Sequence, residues 1–148
     1  MSERKFICWD FDGTLGNFST LDGSSNVPGS RVGLVELLEE IISKKITNVV
    51  TTNNNADFVL ASLLNFKLSK YFDMVFDGED VGSFEGKDYL PVFQHYGLNH
   101  LANPVDALVV GNHTLDIPTD CSGVPFVLDT TTPGPVSDLR EIVLRLTK

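Results

Sequence analysis

The sequence predicts an α/β domain in which helices cover both faces of a mainly parallel sheet of about five strands. Two observations lead there. Five short apolar runs recur along the 148 residues, at 6–9, 46–50, 74–76, 107–110 and 124–128. Most are rich in β-branched or aromatic residues and too short for helices. Stretches with helical periodicity lie between them, and strands alternating with helices build a parallel sheet through crossover connections. The runs show little apolar–polar alternation, as suits strands covered on both faces.

Taken in order, "FICW" (6–9) leads straight into Asp10 and Asp12. The stretch 16–30, "GNFSTLDGSSNVPGS", is the one long piece without periodicity; loops of that length in compact domains are often functional, and it reads as a flap or substrate loop. Leu34, Leu37, Leu38, Ile41 and Ile42 then fall on one face of a helix, with Ser30 as the expected N-cap and Lys44 and Lys45 suiting the negative end of the dipole. The second run, "ITNVV", is followed by "TTNNN". In "ADFVLASLLNFKLS" the residues Phe58, Leu60, Ala61, Leu63 and Leu64 offer a second helical stripe. After "MVF" the acids Glu79, Asp80 and Glu85 read as a solvated loop. "YLPVFQHYGL" reads as a short helix with Pro91 in its first turn, where a missing N–H costs nothing. "ALVV" runs into "GNHTLD", "VPFVL" forms the last strand, and "VSDLREIVLRL" closes the chain as a helix.

Length allows one domain, 1–148, with a real core. The formal charge of −9 disfavours nucleic acid as a partner, since no basic patch exists to release counterions. No stretch approaches the roughly 18 apolar residues of a membrane span, and "MSERKF" lacks the apolar region of a signal peptide, so a cytoplasmic protein is expected. Cys8 and Cys121 form no CxxC pair and are expected to be buried thiols.

In open α/β sheets ligands bind beyond the carboxyl ends of the strands. Asp10, Asp12 and Thr14 follow the first run, Thr51 and Thr52 the second, Asn112 and Asp116 the fourth, and Lys87 precedes the short helix. Two carboxylates placed together repel, so a cation must sit between them or one must carry a proton. Carboxylates, hydroxyls, amides and one ammonium suit Mg2+, which prefers oxygen ligands, and a phosphoryl group, which wants donors and positive charge.

"DFDGTL", "VVTTN", a lysine and "VVGNHTLD", in that order, resemble the four motifs of the haloacid dehalogenase superfamily of phosphohydrolases. The resemblance covers nearly the whole chain. It implies a Rossmann-like three-layer α/β/α domain, Mg2+ as cofactor, Asp10 as nucleophile and Asp12 as general acid and base. It also implies metal binding by the Asp10 side chain, the Asp12 carbonyl, Asn112 and Asp116. Thr52 is the expected phosphate-binding hydroxyl, with the Asn53 N–H beside it and Gly13 in the turn; Thr51 stays open as the alternative. Lys87 is preferred over Lys67 and Lys70, which lie at the polar end of a helix, although Asp88 follows it where the family often has proline. Asn112 stands where the family usually has an acid, which implies a weaker metal site. His95, His100 and His113 read as structural or exposed, and Phe18 as pocket-shaping or core cover. No insertion has room for a cap domain. The capless pattern implies a phosphorylated small molecule or a phosphoprotein as substrate, or a homo-oligomer that supplies a lid. The expected activity is a Mg2+-dependent phosphatase working through a phospho-aspartyl intermediate on Asp10; the alternative is a non-catalytic binding module with a decayed metal site.

Overall fold

A computed structural model describes residues 5–11, 14–17, 29–30, 32–81, 87, 89–95, 107–111, 113, 126–128, 140–141 and 143. The strands are β1 (Lys5–Trp9), β2 (Gly16–Asn17), β3 (Gly29–Ser30), β4 (Ile46–Thr51), β5 (Met74–Phe76), β6 (Ala107–Gly111) and β7 (Phe126–Leu128). The helices are α1 (Leu34–Ser43), α2 (Ala56–Asn65), α3 (Gly78–Val81) and α4 (Leu90–His95). Residues 140, 141 and 143 are helical, inside the expected closing helix. A strand lies in each of the five apolar runs, in the last over Phe126–Leu128, and these strands make one sheet in the order β5-β4-β1-β6-β7. Every pairing within it is parallel.

The side-chain alternation of β1 shows why its sequence carries no polar face. Ile7 and Trp9 enter a core with Leu34, Leu37, Leu38 and Ile41 of α1 and Val59 and Leu63 of α2. Phe6 and Cys8 enter a second core with Val81, Tyr89, Val92 and Phe93 on the opposite side. Both faces of the strand are dry, so both must be apolar. The Trp9 indole N–H is satisfied inside the first core by Asn48 Oδ1, 2.8 Å away, as a buried polar group requires.

Several expectations are corrected. Ser30 does not cap α1: it lies in β3, and the N-cap is Gly33 at φ 86°, without a side-chain cap. That left-handed turn favours glycine over any residue with a Cβ. Ile42 is exposed, so the buried face of α1 is Leu34, Leu37, Leu38 and Ile41. Of the stripe expected on α2, Leu63 is buried and the other four residues are exposed. Val59, Ser62 and Leu63 are buried, whereas Phe58 and Ala61 are exposed and Leu60 and Leu64 are 51% and 70% exposed. Glu79 and Asp80 belong to a helical turn, α3, instead of a loop. The Asp77 carboxylate accepts from the Glu79 N–H, and the Asp77 N–H donates to Asp80, each at 3.0 Å. The 16–30 stretch is not structureless at its ends, since β2 and β3 pair antiparallel, Gly16 with Ser30 and Asn17 with Gly29. Phe18, Glu85, His100 and Cys121 lie outside the described residues. Among the described residues no helix is long and apolar enough to cross a membrane.

Candidate active site

Asp10 directly follows the central strand. Its N–H donates to the Val110 carbonyl at 2.9 Å, continuing the pairing with β6. The chain then folds back on itself, the Phe11 carbonyl accepting from the N–H groups of Thr14 (3.3 Å) and Leu15 (3.0 Å). This turn returns the buried Thr14 hydroxyl to Asp10, where it donates to Oδ2 at 3.3 Å.

The second partner of Asp10 comes from 77 residues downstream. Lys87 Nζ lies 2.8 Å from Asp10 Oδ1 and 2.7 Å from the Thr51 carbonyl oxygen at the end of β4. The lysine side chain is 1% exposed and the aspartate 12% exposed. A buried ammonium is tolerated when an anion and a dipole surround it, and here both do. One lysine therefore ties the end of β1 to the end of β4 and leaves the carboxylate a small opening to solvent.

Beside it, β4 hands over to the segment that opens α2. The Thr52 N–H donates to the Phe76 carbonyl at 2.9 Å, and its hydroxyl oxygen accepts from the Asn54 N–H at 3.0 Å. That contact uses a lone pair and keeps the O–H for a further acceptor. The Thr51 hydroxyl is fully buried without a hydrogen-bond partner, and Thr51 contributes its carbonyl to Lys87 instead. Asn53 is exposed, and Asn55 caps α2, accepting from the Asp57 and Phe58 N–H groups. The positive end of the α2 dipole thus starts at the same edge of the sheet.

Asp12, Gly13, Asn112 and Asp116 lie outside the described residues. Trp9 of β1 pairs with Val110 of β6, so Asp10 and Gly111 lie side by side at the ends of neighbouring strands. Lys67 and Lys70 are exposed, as expected for solvated charges. His95 is exposed with its ring edge-on to Phe76, and His113 is exposed. Among the described residues no three His, Cys, Asp or Glu side chains gather; the donor chemistry of this edge is nonetheless the hard oxygen of a partly open carboxylate, which suits Mg2+. The sequence did not indicate the Thr51 carbonyl as the second anchor of Lys87, because a backbone acceptor has no side-chain signature.

No family model matches the chain, and none of the curated proteins matches it in sequence. Solved structures do match in shape. A predicted phosphoglycolate phosphatase from Haemophilus somnus superposes with a TM-score of 0.69 at 16% identity, covering 100% of both chains. A HAD-superfamily hydrolase from Ehrlichia chaffeensis gives 0.67 at 15% identity, covering 99% of this chain and 100% of that one. The chain shares the fold of these solved hydrolases. A haloacid dehalogenase-like family hydrolase from Streptococcus pneumoniae gives 0.66 at 15% identity, over 98% of this chain and 99% of that one. In this fold Asp10 follows the central strand, Thr52 follows the strand on one side, and Gly111 ends the strand on the other.

Proposed function

We propose that the protein is a Mg2+-dependent phosphatase that hydrolyses a phosphate monoester through a phospho-aspartyl intermediate on Asp10. The observation that carries the reading is the Lys87–Asp10 pair at 2.8 Å, buried at the carboxyl edge of a parallel sheet. A nucleophilic carboxylate and a phosphate-binding ammonium are the two groups such a reaction needs first. Solved structures of the same fold described as hydrolases and as a phosphoglycolate phosphatase support the class of chemistry.

Asp10 forms an oxygen–phosphorus bond as the ester oxygen departs, and Asp12 gives that oxygen its proton. Asp12 then takes a proton from water, whose oxygen bonds to phosphorus while the bond to Asp10 breaks. Lys87 holds Asp10 in line and neutralises a phosphate oxygen. The Thr52 hydroxyl and the Asn53 N–H donate to the others. Asp10, the Asp12 carbonyl, Asn112 and Asp116 would hold Mg2+, which would supply the positive charge that lets a carboxylate approach a phosphate dianion. The substrate is a phosphorylated small molecule or a phosphoprotein; a large substrate, or a second copy of the chain, would cover a site without a cap and exclude water.

Turnover of p-nitrophenyl phosphate tests the reading. Activity is expected with Mg2+, lost with EDTA, restored by Mg2+, and reduced at least about 10³-fold in Asp10→Asn. No turnover of that ester or of a phosphometabolite panel, together with no Mg2+ binding by calorimetry, would favour a non-catalytic binding module. Asn112 brings one negative charge fewer than an acid, so Asn112→Asp should lower the Mg2+ concentration for half-activation; identical half-saturation in both proteins would overturn that point.

A further inference from the structure

We propose that the outward face of α2 docks a second copy of this chain, the two helices packing antiparallel about a two-fold axis. A helix that is apolar all round is normally covered all round. α2 buries Val59 and Leu63 in the first core, yet Leu60 and Leu64 are 51% and 70% exposed. Asp57, Leu60, Ala61 and Leu64 follow at i, i+3, i+4 and i+7, so they form one continuous stripe, and all four are exposed. No charged residue occurs from 58 to 66. Single exposed apolar side chains are ordinary, whereas neighbouring ones on one helix face mark an interaction surface.

The charges at the two ends of the stripe select the occupant. Asp57 is exposed at its start and Lys67 is exposed just past its end. They lie about 15 Å apart along the axis, too far to pair within one copy. A two-fold interface is isologous, so whatever one copy presents it also receives. Antiparallel pairing centred between Leu60 and Leu64 sets Asp57 against the partner subunit's Lys67, and Lys67 against the partner subunit's Asp57. It also lays Leu60 on the partner subunit's Leu64. The small Ala61 beside the crossing lets the axes approach to the near end of the usual range of about 8–10 Å. Two chains of net charge −9 thus meet here without local repulsion. An anionic membrane is a poor occupant, because that net charge repels it and only one end of the stripe is basic.

Phe58 flanks the stripe and packs edge-on against Phe11, the residue after Asp10, with ring centres 6.2 Å apart. The amino end of the interface therefore lies next to the candidate active site, but the pairing does not depend on the phosphatase reading. Contact limited to one helix face falls at the low end of specific interfaces. The dimer should be weak, with a Kd on the order of 10–100 μM.

Sedimentation velocity of the full chain, from well below to well above that concentration in low-salt buffer, tests the proposal. A reversible monomer–dimer equilibrium is expected. Leu60→Gln/Leu64→Gln removes the apolar middle at two solvent-facing positions and should weaken the Kd at least tenfold with an unchanged circular dichroism spectrum. Asp57→Lys and Lys67→Asp each make both end contacts repulsive; aspartate tolerates the left-handed backbone at 67, where φ is 61°. Each variant alone should dimerise at least about threefold more weakly. Their equimolar mixture should recover a near-wild-type Kd, because both opposite-charge contacts re-form in the heterodimer. A chain that stays monomeric throughout would overturn the proposal and leave the face to another protein or to a segment of the chain itself. So would a Kd unmoved by Leu60→Gln/Leu64→Gln, or charge variants whose mixture associates no better than either alone.

Discussion

Lys87 carries its ammonium where water scarcely reaches, and it does so between two acceptors that belong to different strands. Removing one member of a buried pair strands the other, at a typical cost of about 3–5 kcal/mol. Asp10 keeps a little solvent contact, so Lys87→Met should cost about 3 kcal/mol, the lower end, read as a drop in the urea midpoint. If the phosphatase reading holds, loss of the ammonium should also lower kcat/KM on p-nitrophenyl phosphate at least about 100-fold. A stable but inactive variant would mean that the pair serves chemistry alone. Choosing Lys87 over Lys67 and Lys70 was feasible from sequence because the latter pair follows an evident helix end. The Thr51 carbonyl was not legible, since any residue could have supplied it.

At the scale of elements, α2 shows where pattern reading fails. Its sequence has leucines on more than one side, so periodicity alone named Leu60 and Leu64 as buried. The fold instead buries Val59, Ser62 and Leu63, a face with a small polar residue in its middle. What sets the phase is the Asn55 cap and the attachment to Thr52, contacts that hydropathy does not record. Leu63→Ala should therefore cost about 2–5 kcal/mol, while Leu60→Gln and Leu64→Gln should stay within about 0.5 kcal/mol; urea melts of the three variants decide the orientation. The start of α3 makes a second test. Alanine is better than glycine in a helix by about 1 kcal/mol, yet a Cβ on Gly78 would lie 2.9 Å from the Asn53 carbonyl oxygen. Overpacking of that kind costs about 1–3 kcal/mol. Gly78→Ala is expected to destabilise despite its helical position, and to raise KM more than it lowers kcat, because the strain falls on the backbone beside Thr52. A stabilised variant with unchanged KM would show that α3 simply shifts away.

For the whole molecule, the strand positions were legible because a doubly covered parallel sheet leaves unbroken apolar runs, and "MVF" at 74–76 became a strand with those same limits. The sheet also decides how the molecule must come apart. β1 is paired on both edges and feeds one core from Ile7 and Trp9 and the other from Phe6 and Cys8. Neither core can open without disturbing the strand that the other rests on, so the two layers should behave as a single cooperative unit. Cys8, fully buried on the second face, then reacts only through global unfolding. In a Cys121→Ser background it is the sole remaining thiol. Its labelling by a thiol reagent should be slowed at least about 10³-fold relative to the unfolded chain, as a stability of several kcal/mol implies. The sharper test adds Leu63→Ala, a change confined to the first core. If the cores are one unit, the free energy of exposing Cys8 falls by the same amount as the stability measured in urea. Labelling of Cys8 that ignores Leu63→Ala while the urea midpoint drops would separate the layers and refute the single-unit account.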